Sequence, residues 1–149
     1  MKWLIAYVAA GLAFGLLDFL WLRWAAPNLY RPLLGDLLAD NFRMAPALVF
    51  YLIYVGAIVW FAVVPGMAMG VPLNVFGALH PGVFAGVANS VLNGALLGLV
   101  AYATYDLTNQ ATLKHWPVSL TLIDIAWGIS ATALASGVAA FALKQYSQV

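Results

Sequence analysis

Residues 1–24 read MKWLIAYVAAGLAFGLLDFLWLRW, and whether this stretch is a cleaved leader or a membrane helix sets the number of helices in the fold. A basic start followed by an apolar run is the outline of a secretion signal. Here the run is too long for one, and it closes on Asp18, Trp21, Arg23 and Trp24 instead of a small-residue cleavage site. The stretch is therefore expected to remain as a first transmembrane helix, over residues 3–24.

Working outward, three further stretches meet the same demand, at residues 46–65, 86–105 and 117–143. A hydrocarbon core about 30 Å thick needs about 20 mostly apolar residues per helix. The whole chain has 149 residues, 65% of them hydrophobic and 7% charged, with a mean hydropathy of +0.96. A soluble domain carries roughly a quarter charged residues. Lipid cannot satisfy open backbone groups, and the apolar runs do not alternate, so they read as helices and not as barrel strands. The expected fold is all-α: a polytopic membrane protein with a single four-helix transmembrane domain over residues 1–149.

Composition also removes whole classes of function. A net charge of +1 with six scattered Lys and Arg residues offers no surface for nucleic acid. With no cysteine there is no disulfide framework, no thiolate nucleophile and no cysteine metal site. The chain holds no glutamate, phosphate-binding glycine loop, nucleophile elbow or helical His pair, so no catalytic residue, metal site or cofactor is expected. In a four-helix path, loops one and three share a side. They carry Arg23, Arg31, Arg43 and Lys114 against Lys2 and Lys144 on the other side, which places those loops in the cytoplasm and both termini outside.

The long helices are interrupted by polar motifs arranged as a palindrome. The first holds Asp18 and Trp21, the second Tyr51 and Tyr54, the third Tyr102 and Tyr105, and the fourth Asp124 and Trp127. Residues three apart share a helix face, so each pair presents its side chains together. Asp18 lies six residues before Trp24 and Asp124 seven after Pro117, which puts both about 9 to 10 Å inside the same membrane face. The tyrosine pairs fall near that face too. Small-residue stripes, through Gly11 and Gly15 to Asp18, through Gly94, Gly98 and Ala101 to Tyr105, and from Asp124 through Gly128, Ala131 and Ala135, point the polar groups into the bundle.

An aspartate at that depth costs about 2.5 to 3.5 kcal/mol. It is read either as part of a structural network that sets helix register, with tyrosine hydroxyls and Asn89, Asn93 and Asn109 as partners, or as part of a binding or proton-relay site. The segment YDLTNQATL, residues 105–113, adds Asp106 and Asn109 at the expected end of the third helix. A carboxylate beside the negative end of the helix dipole is unfavourable unless it meets a cation or caps donors; an Asx turn is the plain alternative.

Two loops carry weaker signals. The first, AAPNLYRPLLGDLLADNFRMAP, sets Leu33, Leu34, Leu37 and Leu38 against Asp36, Asp40 and Arg43. That spacing suits a short amphipathic interfacial helix, either a connector or a lid. The second loop holds Met67, Met69 and His80, soft donors that packing explains better than copper does.

With LDFLWL, FYLIYVG, AYATYDLTNQATL and DIAWG in place, the chain resembles the small bacterial integral membrane proteins known as domain of unknown function 2177. The resemblance covers nearly the whole chain and implies a four-helix protein of the bacterial inner membrane with no established activity. Three roles follow from the residues. The first is binding or transport of a small cationic or amphipathic ligand, or a lipid headgroup, by Asp18, Trp21, Tyr51, Tyr54, Tyr102, Tyr105, Asp106, Asn109, Asp124 and Trp127. The second is an accessory subunit of a larger membrane complex, or a homodimer, packed through the small stripes. The third is a helper in membrane lipid modification, which lacks a visible nucleophile.

Overall fold

The computed structural model describes residues 1–67 and 85–147. Helix α1 (Lys2–Ala25) runs into a π-helical turn (Ala26–Tyr30), then α2 (Arg31–Leu34) and a 3-10 turn (Gly35–Leu37). Helix α3 (Met44–Ala57) continues through a π-helical stretch (Ile58–Val63) into α4 (Val64–Gly66). The last two helices are α5 (Ala85–Thr112) and α6 (Val118–Tyr146). Four runs are long and apolar enough to cross a membrane: Lys2–Leu37, Met44–Gly66, Gly86–Thr112 and Val118–Tyr146. No strand forms among the described residues.

Both π-helical stretches sit beside prolines, and the wider turn has a physical reason. A proline inside a helix has no N–H to donate and crowds the carbonyl four residues back. Pro27 lies in the first turn of the first such region, Pro32 follows it closely, and Pro65 follows the second. Widening the turn lets the helix pass the proline without ending. The first span therefore runs past Trp24, where the apolar count ends, and carries Tyr30 and Leu34 back over the bundle.

Helix α6 is the central post: α5 packs along it most extensively, α1 lies on another side, and the π stretch of the second span closes the remaining gap. The α5–α6 seam is made by glycines. A Cβ on Gly94 would strike Thr132 and Ser136, one on Gly98 would strike the Gly128 carbonyl, and one on Gly128 would strike the Tyr102 ring. The stripe expected in α1 does not work this way, because a Cβ at Gly15 meets nothing within 4 Å and one at Gly11 meets only Val55 at 3.6 Å. On α5 the buried line runs Gly94, Gly98 and Asp106 with the Tyr102 ring, while Tyr105 on the expected stripe is 61% exposed.

Leu4, Leu12, Leu16, Leu52, Ile53, Leu122 and Leu134 cover the outside, and beside apolar side chains such as Phe14, Ile58 and Leu120 the interior holds Asp18, Asn93, Asp106, Asp124, Thr132 and Ser136. Such an inversion is stable where the solvent is hydrocarbon.

At one end of the interior, Asn93 donates to the Ala62 carbonyl at 3.4 Å, and Ser90 donates to Gly86 at 2.8 Å and toward Val63 at 3.5 Å. Asn93, which the sequence offers as a partner for the carboxylates, instead serves the π stretch of the second span. Asn89 keeps its side-chain oxygen buried without a partner.

Candidate functional site

Asp18 and Asp124 face each other's helices from α1 and α6, 7% and 5% exposed, within reach of each other's charge. Between them Trp21 stacks on Trp127, ring centroids 4.6 Å apart and planes 8° from parallel. Tyr51 of α3 donates its hydroxyl to Asp18. Tyr30, brought back by the π turn, donates to Asp124 at 2.7 Å and accepts the Trp21 indole N–H at 3.0 Å. The Trp127 N–H is buried near Asp18 but short of hydrogen-bond geometry. The two Asp-Trp motifs thus serve each other crosswise: each indole belongs to one helix and points toward the carboxylate system of the other.

Above this pair lies a cavity of about 430 Å³, lined by Asp18, Trp21, Leu22, Tyr30, Leu34, Leu38, Phe42, Tyr102, Tyr105, Trp116, Asp124 and Trp127. Its floor is the two carboxylates and the indole stack. Its side is α5, with Tyr102 pressed onto Gly128. Its roof comes from the two loops on that face. Leu34 borders it from the first, with the exposed Leu38 and Phe42 at the rim. From the third comes Trp116, edge-on to Tyr105 at 5.8 Å and tied down through Thr121 (3.1 Å) to Gln110 (2.9 Å). No Lys or Arg lines the chamber.

The family described as "Predicted membrane protein (DUF2177)" matches residues 3–141 of the chain. The chain belongs to this family. No curated protein and no solved structure matches it. As a DUF2177 protein with four membrane-length helices, it is a multi-pass integral membrane protein.

Six of the ten residues singled out in the DUF2177 sequence meet in the chamber: Asp18, Trp21, Tyr102, Tyr105, Asp124 and Trp127. Tyr51 joins from behind through Asp18. Tyr54 does not: its hydroxyl is taken by Thr132 at 2.8 Å, and its ring packs on Phe14. Asn109 is half-buried beyond the lining.

Asp106 is also elsewhere, and its expected setting is corrected. The third helix does not end at Tyr105 but runs to Thr112, its exposed face back-bonded by Thr104, Thr108 and Thr112. No Asx turn forms. Asp106 instead lies in the α5–α6 seam, fully buried, with both carboxylate oxygens unpartnered and Asp124 within electrostatic reach.

Leu34 and Leu38, which the sequence places in a connector or lid, border the chamber, whereas Tyr30, Phe42 and Trp116 are functional candidates that sequence reasoning missed. The four-residue spacing of Tyr30 and Leu34 is the signal available for Tyr30, since it marks one helix face; Leu38 and Phe42 lie beyond the helical run, where no helical spacing applies.

Met69 and His80, weighed as copper donors, lie outside the described residues. Among the described residues no group of three His, Cys, Asp or Glu side chains is placed to hold a metal ion.

Proposed function

We propose that this protein binds a small organic cation, or the cationic head of an amphipathic molecule, in the roofed chamber, and that it does so in the bacterial inner membrane with loops one and three toward the cytoplasm. One observation carries the reading: two nearly buried carboxylates share a cavity with the rings of Trp21, Trp127, Tyr30, Tyr102, Tyr105 and Trp116, and no basic side chain neutralises them there. Aromatic faces around a desolvated charge are how quaternary ammonium groups are recognised, each ring contact contributing on the order of 0.5 to 2 kcal/mol. A metal ion is a poorer occupant, because the lining supplies too few hard oxygen donors.

The test is tetramethylammonium binding to the purified protein in phosphatidylglycerol nanodiscs, followed by quenching of the Trp21–Trp127 pair. Asp18→Asn and Asp124→Asn should each weaken binding by about tenfold or more, the loss of one charged partner in a desolvated site. Asp40→Asn, on the exposed first loop and outside the lining, should leave the affinity unchanged. Equal affinity in wild type and the Asp18→Asn/Asp124→Asn double variant would reject the reading.

A further inference from the structure

A second cavity, about 320 Å³, opens on the flank of the bundle and is lined by Phe50, Tyr54, Ala101, Tyr102 and Tyr105. Among the described residues its lining contains no charge. The Tyr54 hydroxyl is engaged by Thr132, so that residue contributes its ring and not its polar end. Tyr102 and Tyr105 line both this groove and the acidic chamber. Their rings form a common wall, with carboxylates on one side and a hydrocarbon surface on the other. Phe50 and Tyr105, at the mouth of the groove, are 43% and 61% exposed on a bundle whose outer surface faces acyl chains.

We propose that the chamber's ligand is a single-chain amphiphile with a cationic head, and that its tail lies in this groove, entering sideways from the bilayer between the second and third spans. The inference rests on the reading of the chamber as an organic-cation site and adds the chemical class of the ligand and its path. The chamber is bordered on the loop side by Tyr30, held to Asp124, and by Leu34 and Trp116, with Leu38 and Phe42 at its rim. A tail passing that way would have to cross the loops and the polar surface. Through the groove it stays among groups like itself and reaches the carboxylates past the edges of two tyrosine rings. Ala101 is the only small residue among the described residues of the groove lining, so it sets the width available to a chain.

The experiment compares tetramethylammonium, hexyltrimethylammonium and decyltrimethylammonium in phosphatidylglycerol nanodiscs, with the Asp18→Asn/Asp124→Asn variant giving the background from partition into lipid. Affinity above that background should rise with chain length. Ala101→Leu should weaken decyltrimethylammonium binding about tenfold, equivalent to excluding roughly two methylene groups from burial, and leave tetramethylammonium binding intact, which also reports that the variant is folded. Phe50→Ser, at the exposed mouth, should weaken the long-chain probe in the same direction. If the short cation binds in a carboxylate-dependent way but chain length, Ala101→Leu and Phe50→Ser have no effect above background, the tail site is wrong and the chamber reading stands. If no member of the series binds in a carboxylate-dependent way, both are wrong.

Discussion

Asp18 and Asp124 are tolerated inside the bundle because a tyrosine hydroxyl reaches each of them, from different places. Tyr51 comes from the neighbouring span, whereas Tyr30 comes from a loop and also accepts the Trp21 N–H. Tyr30→Phe removes both of the latter bonds and leaves Asp124 and an indole donor unserved. The expected loss is about 1 to 3 kcal/mol, read from unfolding in mixed micelles against Tyr146→Phe at an exposed tyrosine. A loss no greater than that control would mean the bond contributes nothing to the fold. Glycine gives a second comparison at the same scale. Gly98→Val puts branched carbon against the Gly128 backbone and should cost about 1 to 3 kcal/mol, whereas Gly15→Val on α1 has open space and should leave the unfolding midpoint unchanged. Similar losses in both would contradict the packing described for the seam.

At the scale of elements, the roof depends on how the first span ends. The helical run closes at Gly35, whose φ of +48° and ψ of −120° belong to a region open to glycine and costly for other residues. Gly35→Ala should cost about 1 to 2 kcal/mol and loosen Leu34, Leu38 and Phe42 from the chamber. Faster amide hydrogen exchange over residues 31–42, with exchange in α6 unchanged, is the expected outcome; unaltered exchange over the loop would show that Gly35 does not hold the roof. How much of this could be read in the chain differs between elements. The spans were legible because apolar length is a local property, but the amphipathic helix expected across the first loop ends at Leu37 and residues 38–43 form no helix. The continuation of α1 past Pro27 was not legible, because a proline signals a break unless a π turn absorbs it. Nor was the reach of α5 to Thr112, since YDLTN carries polar residues that favour turns and here serve as helix surface instead.

For the whole molecule, the four membrane-length helices among the described residues put both termini on one side, and in the proposed orientation, which rests on Arg23, Arg31, Arg43 and Lys114 in loops one and three, that side is the periplasm. Reporter fusions at residue 149 and within residues 36–42 test it: a periplasm-active reporter should work at the C-terminus and fail in the loop, and the reverse pattern would turn the molecule over. The sequence by itself determined that four helices cross a membrane and that Asp18 and Asp124 lie at one level facing inward, because burial in lipid forces both through length and spacing alone. Only the tertiary structure decided which donors meet which carboxylate. A step of one residue turns a side chain by about 100° around the helix axis, so the packing of α5 on α6 sends Asp106 into a closed seam and leaves Tyr105 in the wall of a chamber. The roof that completes that chamber comes from residues whose position is set by contacts across the fold and not by their neighbours in the chain.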